Sequence, residues 1–217
     1  MNQDIKNTVL QSNTSLVGIV CKDGIVLGAD RRVTAGNLIM DKKYQKILRV
    51  NEYLTVAYTG GVADAQLTNK ILAAELRLKE LRAKSRPSVQ EAAQLIAMMT
   101  YRSIRTPAML MHIVGTLIAG FNEDGTIELY TVEPAGGVYK VKDYDANFSS
   151  GMPYILGLLE RLYKKDLSVK EGVELAKECL KSSTQRDSGS GNGIDIFTIT
   201  KDGIKQAVSE EIIAEYR

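Results

Sequence analysis

Thr14–Lys46 reads TSLVGIVCKDGIVLGADRRVTAGNLIMDKKYQK. Two apolar runs, up to Cys21 and from Ile25 to Ala29, flank Lys22-Asp23-Gly24. An Asp-Gly pair between short apolar segments is a strong signal for a β-hairpin turn. A hairpin here returns the chain on itself and brings Asp30, just past the second strand, towards Thr14, just before the first. The same stretch carries a guanidinium at Arg32 and an amine at Lys46. A hydroxyl, a carboxylate and two cationic groups are thus gathered around one predicted hairpin.

Working outward, Val33–Asn37 continues extended to a turn at Gly36-Asn37, and residues 46–50 and 53–58 give two more short strands ending at Gly60-Gly61. From Val62 to about Ala83 the apolar residues Leu67, Ile71, Leu72, Leu76, Leu78 and Leu81 recur near helical spacing. Ser85-Arg86-Pro87 ends that helix, and Ser88 with Glu91 forms a capping box for a second one to about Arg105. Its Ala92, Leu95, Ile96 and Met99 are expected to face the core. Met98, Met99, Met109 and Met111 read as core packing rather than a cofactor-binding stripe.

Strands return at 112–121 and 126–132 around the loop Asn122–Gly125, and again at 138–141 after Ala135-Gly136-Gly137. Ser150 is a candidate N-cap for a helix from Pro153 to about Lys164. Ser168 and Glu171 form another capping box, for a helix to Lys181. The glycine-rich RDSGSGNG, 186–193, leads to a strand at 194–200, a turn at Asp202-Gly203 and a last strand. Residues 1–13 are polar, lack helical periodicity, and read as a leader or flexible tail. Strands, two helices, strands, two helices, strands predicts an α+β protein. Two antiparallel sheets with a helix pair on each outer face make a four-layer αββα sandwich.

Composition narrows the function. A chain of 217 residues fits one domain, and its 44% apolar and 25% charged content is that of an ordinary globular protein. A formal charge of +2 gives no nucleic-acid or membrane footprint. No apolar run reaches the ~18 residues of a transmembrane helix, and the first residues lack the pattern of a signal peptide. Cys21 and Cys179 lie in apolar patterns and read as free core thiols, which predicts a cytoplasmic protein. His112 is the single histidine, inside an apolar run, and reads as a structural imidazole. That reading excludes Ser-His-Asp and Cys-His chemistry and any multi-histidine metal site. Hydrolysis then needs a nucleophile activated by an amine. A threonine hydroxyl next to its own free α-amine meets that need, because an α-amine with a pKa of about 7.7–8.0 serves as a general base at working pH. The role requires Thr14 to become the N-terminus, and thirteen residues precede it.

The motif Thr14–Asn37, the lysine at 46, YTGGVADAQ at 58–66, SSGMP at 149–153 and QRDSGSG at 185–191 together resemble the β-type subunits of the 20S proteasome, archaeal-like members of the N-terminal threonine hydrolases. The blocks stand in the family's order over nearly the whole chain. The resemblance implies the sandwich fold already reached from pattern. It assigns the nucleophile to Thr14 and a lysine beside it to Lys46. Asp30 would pair with Lys46, and Arg32 would brace the same cluster. Ser150, Asp187 and Ser190 would support the nucleophile's amine, Gly60 would supply the oxyanion N–H, and the backbone at Thr34 and Val62 would pair with an extended substrate. The first specificity pocket would be lined by Val33, Tyr44, Leu48, Tyr58, Val62 and Gln66. None of these is charged, so cleavage after small or medium apolar residues is expected.

The resemblance also implies a leader, 1–13, and a β-type domain, 14–217, with autocatalytic cleavage between Asn13 and Thr14. It implies stacked heptameric rings with α-type and other β-type subunits, a regulatory ATPase ring, protein substrates, and no metal or organic cofactor. Asn13 stands where the family usually has glycine, and Ser15 and Leu16 stand where threonines are frequent. Two readings follow: an endopeptidase that removes its own leader, and a structural ring subunit that keeps it.

Overall fold

The computed structural model describes residues 11–212. The expected hairpin is present. Strands β2 (Leu16–Cys21) and β3 (Gly24–Asp30) pair antiparallel in the register Leu16↔Ala29 to Cys21↔Gly24. They sit in a sheet ordered β11-β2-β3-β12-β13, completed by β11 (Tyr144–Asp145), β12 (Gly193–Thr200) and β13 (Gly203–Glu211).

The second sheet runs β10-β9-β8-β7-β1-β4-β5, with β6 paired to β7. Its members are β1 (Gln11–Ser12), β4 (Val33–Ala35), β5 (Leu38–Asp41), β6 (Ile47–Arg49), β7 (Leu54–Gly61), β8 (Val114–Phe121), β9 (Ile127–Val132) and β10 (Val138–Lys140). Helices α1 (Val62–Ala83) and α2 (Val89–Arg105) cover this sheet. Helices α3 (Met152–Leu162) and α4 (Val169–Thr184) cover the first.

Three apolar cores separate the four layers. Leu16, Leu27, Ile47, Leu117, Leu129 and Ile199 fill the space between the sheets. Leu72, Leu76 and Ile96 of the first helix pair meet Val56 and Ile118 beneath them. Ile155, Leu159 and Leu180 of the second pair meet Val17, Ile19 and Ile194. The α+β sandwich is therefore as expected, and β2 and β3 are buried on both faces because a layer lies on each side of them. Burial pushes the Cys21 and Cys179 thiols up to about 12, leaving them unreactive apolar fillers.

Both capping boxes form: the Ser88 and Ser168 hydroxyls accept from the N–H groups of Glu91 and Glu171, whose side chains return the bond. Other expectations fail for identifiable reasons. Met98, Met109 and Met111 are exposed rather than core. Met98 lies on the outer side of α2, and 106–113 forms no strand, so β8 begins at Val114 and not at His112. Leu67, Ile71, Leu78 and Leu81 of α1 also face outward, so spacing alone did not give its buried side. Ser150 does not cap α3. Gly151 holds the N-cap position with no side-chain bond, and the Ser150 hydroxyl is used elsewhere. The short β5 and β11 carry too few residues to show a pattern. Of the expected leader, residues 1–10 lie outside the described residues, while Gln11 and Ser12 are a strand rather than a tail.

One ion pair ties the first sheet across its strands. Arg31, one residue past β3, donates Nε to Asp195 Oδ2 at 2.9 Å and Nη2 to Oδ1 at 2.5 Å, and the same Nη2 reaches Ser209 Oγ on β13. The fork-on-fork geometry raises the affinity of Arg31 for its proton. Asp195→Ala strands a guanidinium whose side chain is 11% exposed. The expected cost is about 3 kcal/mol, measured by denaturant unfolding; an unchanged midpoint would show that the pair is solvated.

Candidate active site

The hairpin places Thr14 and Asp30 at neighbouring strand ends, and Lys46, just before β6, crosses from the other sheet to meet them. The Lys46 ammonium donates to Asp30 Oδ1 at 2.7 Å, to Thr14 Oγ1 at 3.0 Å and to the Asn13 carbonyl oxygen at 3.2 Å. Its three protons are then all used. Thr14 and Asp30 are fully buried and Lys46 is 2% exposed. Burial pushes the ammonium below its ordinary value, against the pull of Asp30.

Asp30 is held from every side. Oδ1 also accepts from Ser15 N at 3.0 Å, and Oδ2 accepts from Arg32 N and Gly191 N, both at 2.9 Å. A buried carboxylate needs such partners to offset its lost hydration. The Arg32 side chain does not join this cluster as expected. Its Nε donates to Asn192 Oδ1 and its Nη1 to Ser188 O, both at 2.8 Å, so it braces the glycine-rich loop, which in turn presents Gly191 N to Asp30.

On the other side of Thr14 the structure brings Ser150, Asp187 and Ser190 together. Ser150 Oγ lies 3.2 Å from Thr14 O and 2.6 Å from Asp187 Oδ2, and Ser190 Oγ donates to that same Asp187 oxygen. Gly189 N donates to Asp187 Oδ1 at 3.1 Å. The sequence did not reveal two further members. Ser15, which stands where threonine is frequent, and Ser183, unmarked within α4, are fully buried here with their hydroxyls in contact.

The strand β1 lies between β4 and β7. Gln11 pairs with Thr34 on one side and Gly61 on the other, and Ser12 pairs with Gly60. Thr34 is thus in the ladder, and among the described residues β1 meets Gly60 and Gly61 on the other side, next to Val62, which begins α1. Gly60 has φ +107°, and a Cβ there would sit 2.0 Å from the Ile113 carbonyl oxygen, so only glycine fits. Beside it a narrow cavity of about 10 Å³, hardly the space of one water, is lined by Tyr44, Leu48, Tyr58 and Val62 with Lys46 and Ala65. Val33 and Gln66 are outside that lining, although the Gln66 amide reaches the Tyr44 hydroxyl at 3.5 Å. Tyr58, 3% exposed and held neutral by burial, limits the depth.

His112 is partly buried and faces Asp64 at 3.4 Å. Among the described residues no His, Cys, Asp and Glu cluster could hold a metal ion, and no helix is long and apolar enough to cross a membrane.

A proteasome subunit family model matches residues 10–199. A proteasome subunit beta of Nanoarchaeum equitans is 38% identical, covering 91% of this chain and 98% of its own. One from Methanothermobacter thermautotrophicus is 38% identical over 96% and 95% of the two chains, and one from Methanopyrus kandleri 37% over 94% and 95%.

Lys46→Met keeps most of the side-chain volume but leaves Asp30 without the ammonium paired to it. The expected loss is roughly 3–5 kcal/mol of unfolding free energy, together with loss of any cleavage at Asn13–Thr14. Wild-type stability in that variant would mean that the three backbone N–H groups alone hold the carboxylate.

Proposed function

The chain belongs to the proteasome β subunit family, and we propose that it is a catalytic member, a threonine endopeptidase that exposes its own nucleophile by removing residues 1–13 from the domain 14–217. The observation that carries this reading is the position of Lys46, whose ammonium reaches both the hydroxyl at 3.0 Å and, at 3.2 Å, the carbonyl oxygen of the bond to be cut. With its proton lost, the lysine takes the Thr14 hydroxyl proton. Oγ1 then adds to the Asn13 carbonyl carbon, and the C–N bond breaks as the Thr14 nitrogen gains a proton. Water hydrolyses the resulting ester, leaving a carboxylate on Asn13 and a free amine on Thr14. That amine, next to Ser150, Asp187 and Ser190, becomes the base for later turnovers.

Substrates follow the path of the leader. A peptide added between β4 and β7 makes main-chain bonds at Thr34 and at Gly60-Gly61, as β1 does. Its side chain before the cut enters the pocket of Tyr44, Leu48, Tyr58 and Val62, where the Lys46 ammonium is already paired with Asp30, and such walls favour small or medium apolar residues. In this reading no metal or organic cofactor takes part, and Gly60 supplies the oxyanion N–H. The subunit works in the cytoplasm in stacked heptameric rings with α-type and other β-type subunits, fed unfolded protein by a regulatory ATPase ring.

One observation favours a structural subunit instead. The leader strand is paired on both sides and Thr14 is fully buried beneath it, with Asn13 in place of glycine at the cut. Intact-mass measurement of the assembled particle decides between them. A chain starting at Thr14 that cleaves fluorogenic peptides after small apolar residues supports the endopeptidase; a chain still carrying Met1–Asn13 overturns it.

The pH dependence of leader removal has a definite sign. Lys46 accepts a proton only when neutral, and burial moves its pKa below the ordinary lysine value of 10.5. The processing rate therefore rises with pH and levels off below pH 10.5, measured by intact mass against time. A rate that falls across this range rules out lysine as the base.

A further inference from the structure

Ser15 touches both halves of the site. Its N–H donates to Asp30 Oδ1 at 3.0 Å, and its hydroxyl lies 2.8 Å from Ser190 Oγ and in contact with Ser183 Oγ. All three serines are fully buried. Each hydroxyl has one proton to donate, while an ionised carboxylate only accepts. Ser190 must spend its proton on Asp187 Oδ2. Ser15 must then donate to Ser190, and Ser183 must donate to Ser15. The order Ser183 to Ser15 to Ser190 to Asp187 is thus fixed from one end by the carboxylate.

Space has been kept for this chain of hydroxyls. Gly151 has an ordinary φ of −79°, so its backbone does not demand glycine. A Cβ there would lie 2.1 Å from Ser15 Oγ and 2.2 Å from Ser183 Oγ. The missing side chain is the room that the two hydroxyls occupy, while Gly151 N donates to Thr14 O at 3.2 Å.

We propose that Ser183, acting through Ser15, is a positioning residue for the nucleophile: it holds the Ser15 hydroxyl on Ser190, whose own hydroxyl donates to Asp187. This rests on the endopeptidase reading above. In that reading Asp187, linked through the Ser150 hydroxyl to the Thr14 carbonyl oxygen, acts on the Thr14 amine once the leader has gone, and the Ser190 hydroxyl takes up part of its charge. Without Ser183 the Ser15 hydroxyl loses the donor that fixes it, and it can turn away from Ser190. Asp187 then holds the protonated amine more firmly, and the base is available only at higher pH. The other groups facing this cluster are the Ser150 hydroxyl and Gly189 N, both on Asp187, and the Lys46–Asp30 pair, which Ser15 touches through its N–H.

The test uses the assembled, processed particle and peptide turnover across pH. Ser183→Ala is expected to lower kcat about tenfold with KM within twofold, and to move the acid limb of the rate profile to higher pH. Ser183→Thr, which keeps the hydroxyl, restores both. Ser15→Ala has a similar effect, and adding Ser183→Ala to it changes nothing further, because Ser183 acts only through Ser15. An unmoved acid limb, or effects that simply multiply in the double variant, overturns the positioning role even where Tm falls. If Ser183→Ala fails to assemble, the Ser183→Thr and Ser15→Ala profiles carry the test: a limb unmoved in Ser15→Ala overturns it. A wild-type particle that retains Met1–Asn13 sinks the endopeptidase reading itself, and this role with it.

Discussion

The buried Lys46–Asp30 contact is what the rest of the structure is arranged to hold. Two charges withdrawn from water lose several kcal/mol of hydration each, and one 2.7 Å contact does not restore it. The remainder comes from backbone: Ser15 N from β2's approach, Arg32 N from the turn after β3, and Gly191 N from the loop before β12. Three separate chain segments are thereby fixed around one carboxylate. The lysine, in turn, is held from the opposite sheet by its position ahead of β6. Thr14 sits where the two sheets' polar ends converge.

The glycine-rich loop 186–193 shows how this arrangement is built from weak parts. Arg32 binds the loop's Ser188 carbonyl and Asn192 side chain, the loop offers Gly191 N to Asp30, and Asp187 in the same loop orients Ser150 and Ser190. A residue expected to brace the catalytic cluster directly thus acts one step removed. Its charge is spent ordering backbone, which fits a planar guanidinium with several donors better than it fits a second cation beside Lys46.

The strand β1 shows how the gap between β4 and β7 holds an extended segment. An extended segment between β4 and β7 satisfies the free backbone edges of both strands, and edges of that kind accept any chain with matching N–H and C=O spacing. Gln11 and Ser12 occupy that slot, next to Asn13 and Thr14. Thr14 remains fully buried while they do so.

Much of the fold was legible because it depends on local chemistry. The Asp23-Gly24 turn, the two capping boxes and the alternation of strand and helix blocks announce the four layers. The polar site was legible in its residues, since Thr14, Asp30, Lys46, Ser150, Asp187 and Ser190 stand in recognisable blocks. Other features were not. Ser183 carries no mark in sequence, because a serine on an amphipathic helix reads as surface until tertiary packing brings α4 against β2. Ser150 fitted a helix cap by position, yet its hydroxyl is drawn to Asp187 by a loop some 37 residues away. The outward methionines reflect the same limit: periodicity gives the faces of a helix but not which neighbour covers them. The sequence alone determined the kinds of chemical group and the order of the layers. Only the tertiary structure decided which groups meet, because hydrogen bonds act over about 3 Å between residues far apart in the chain.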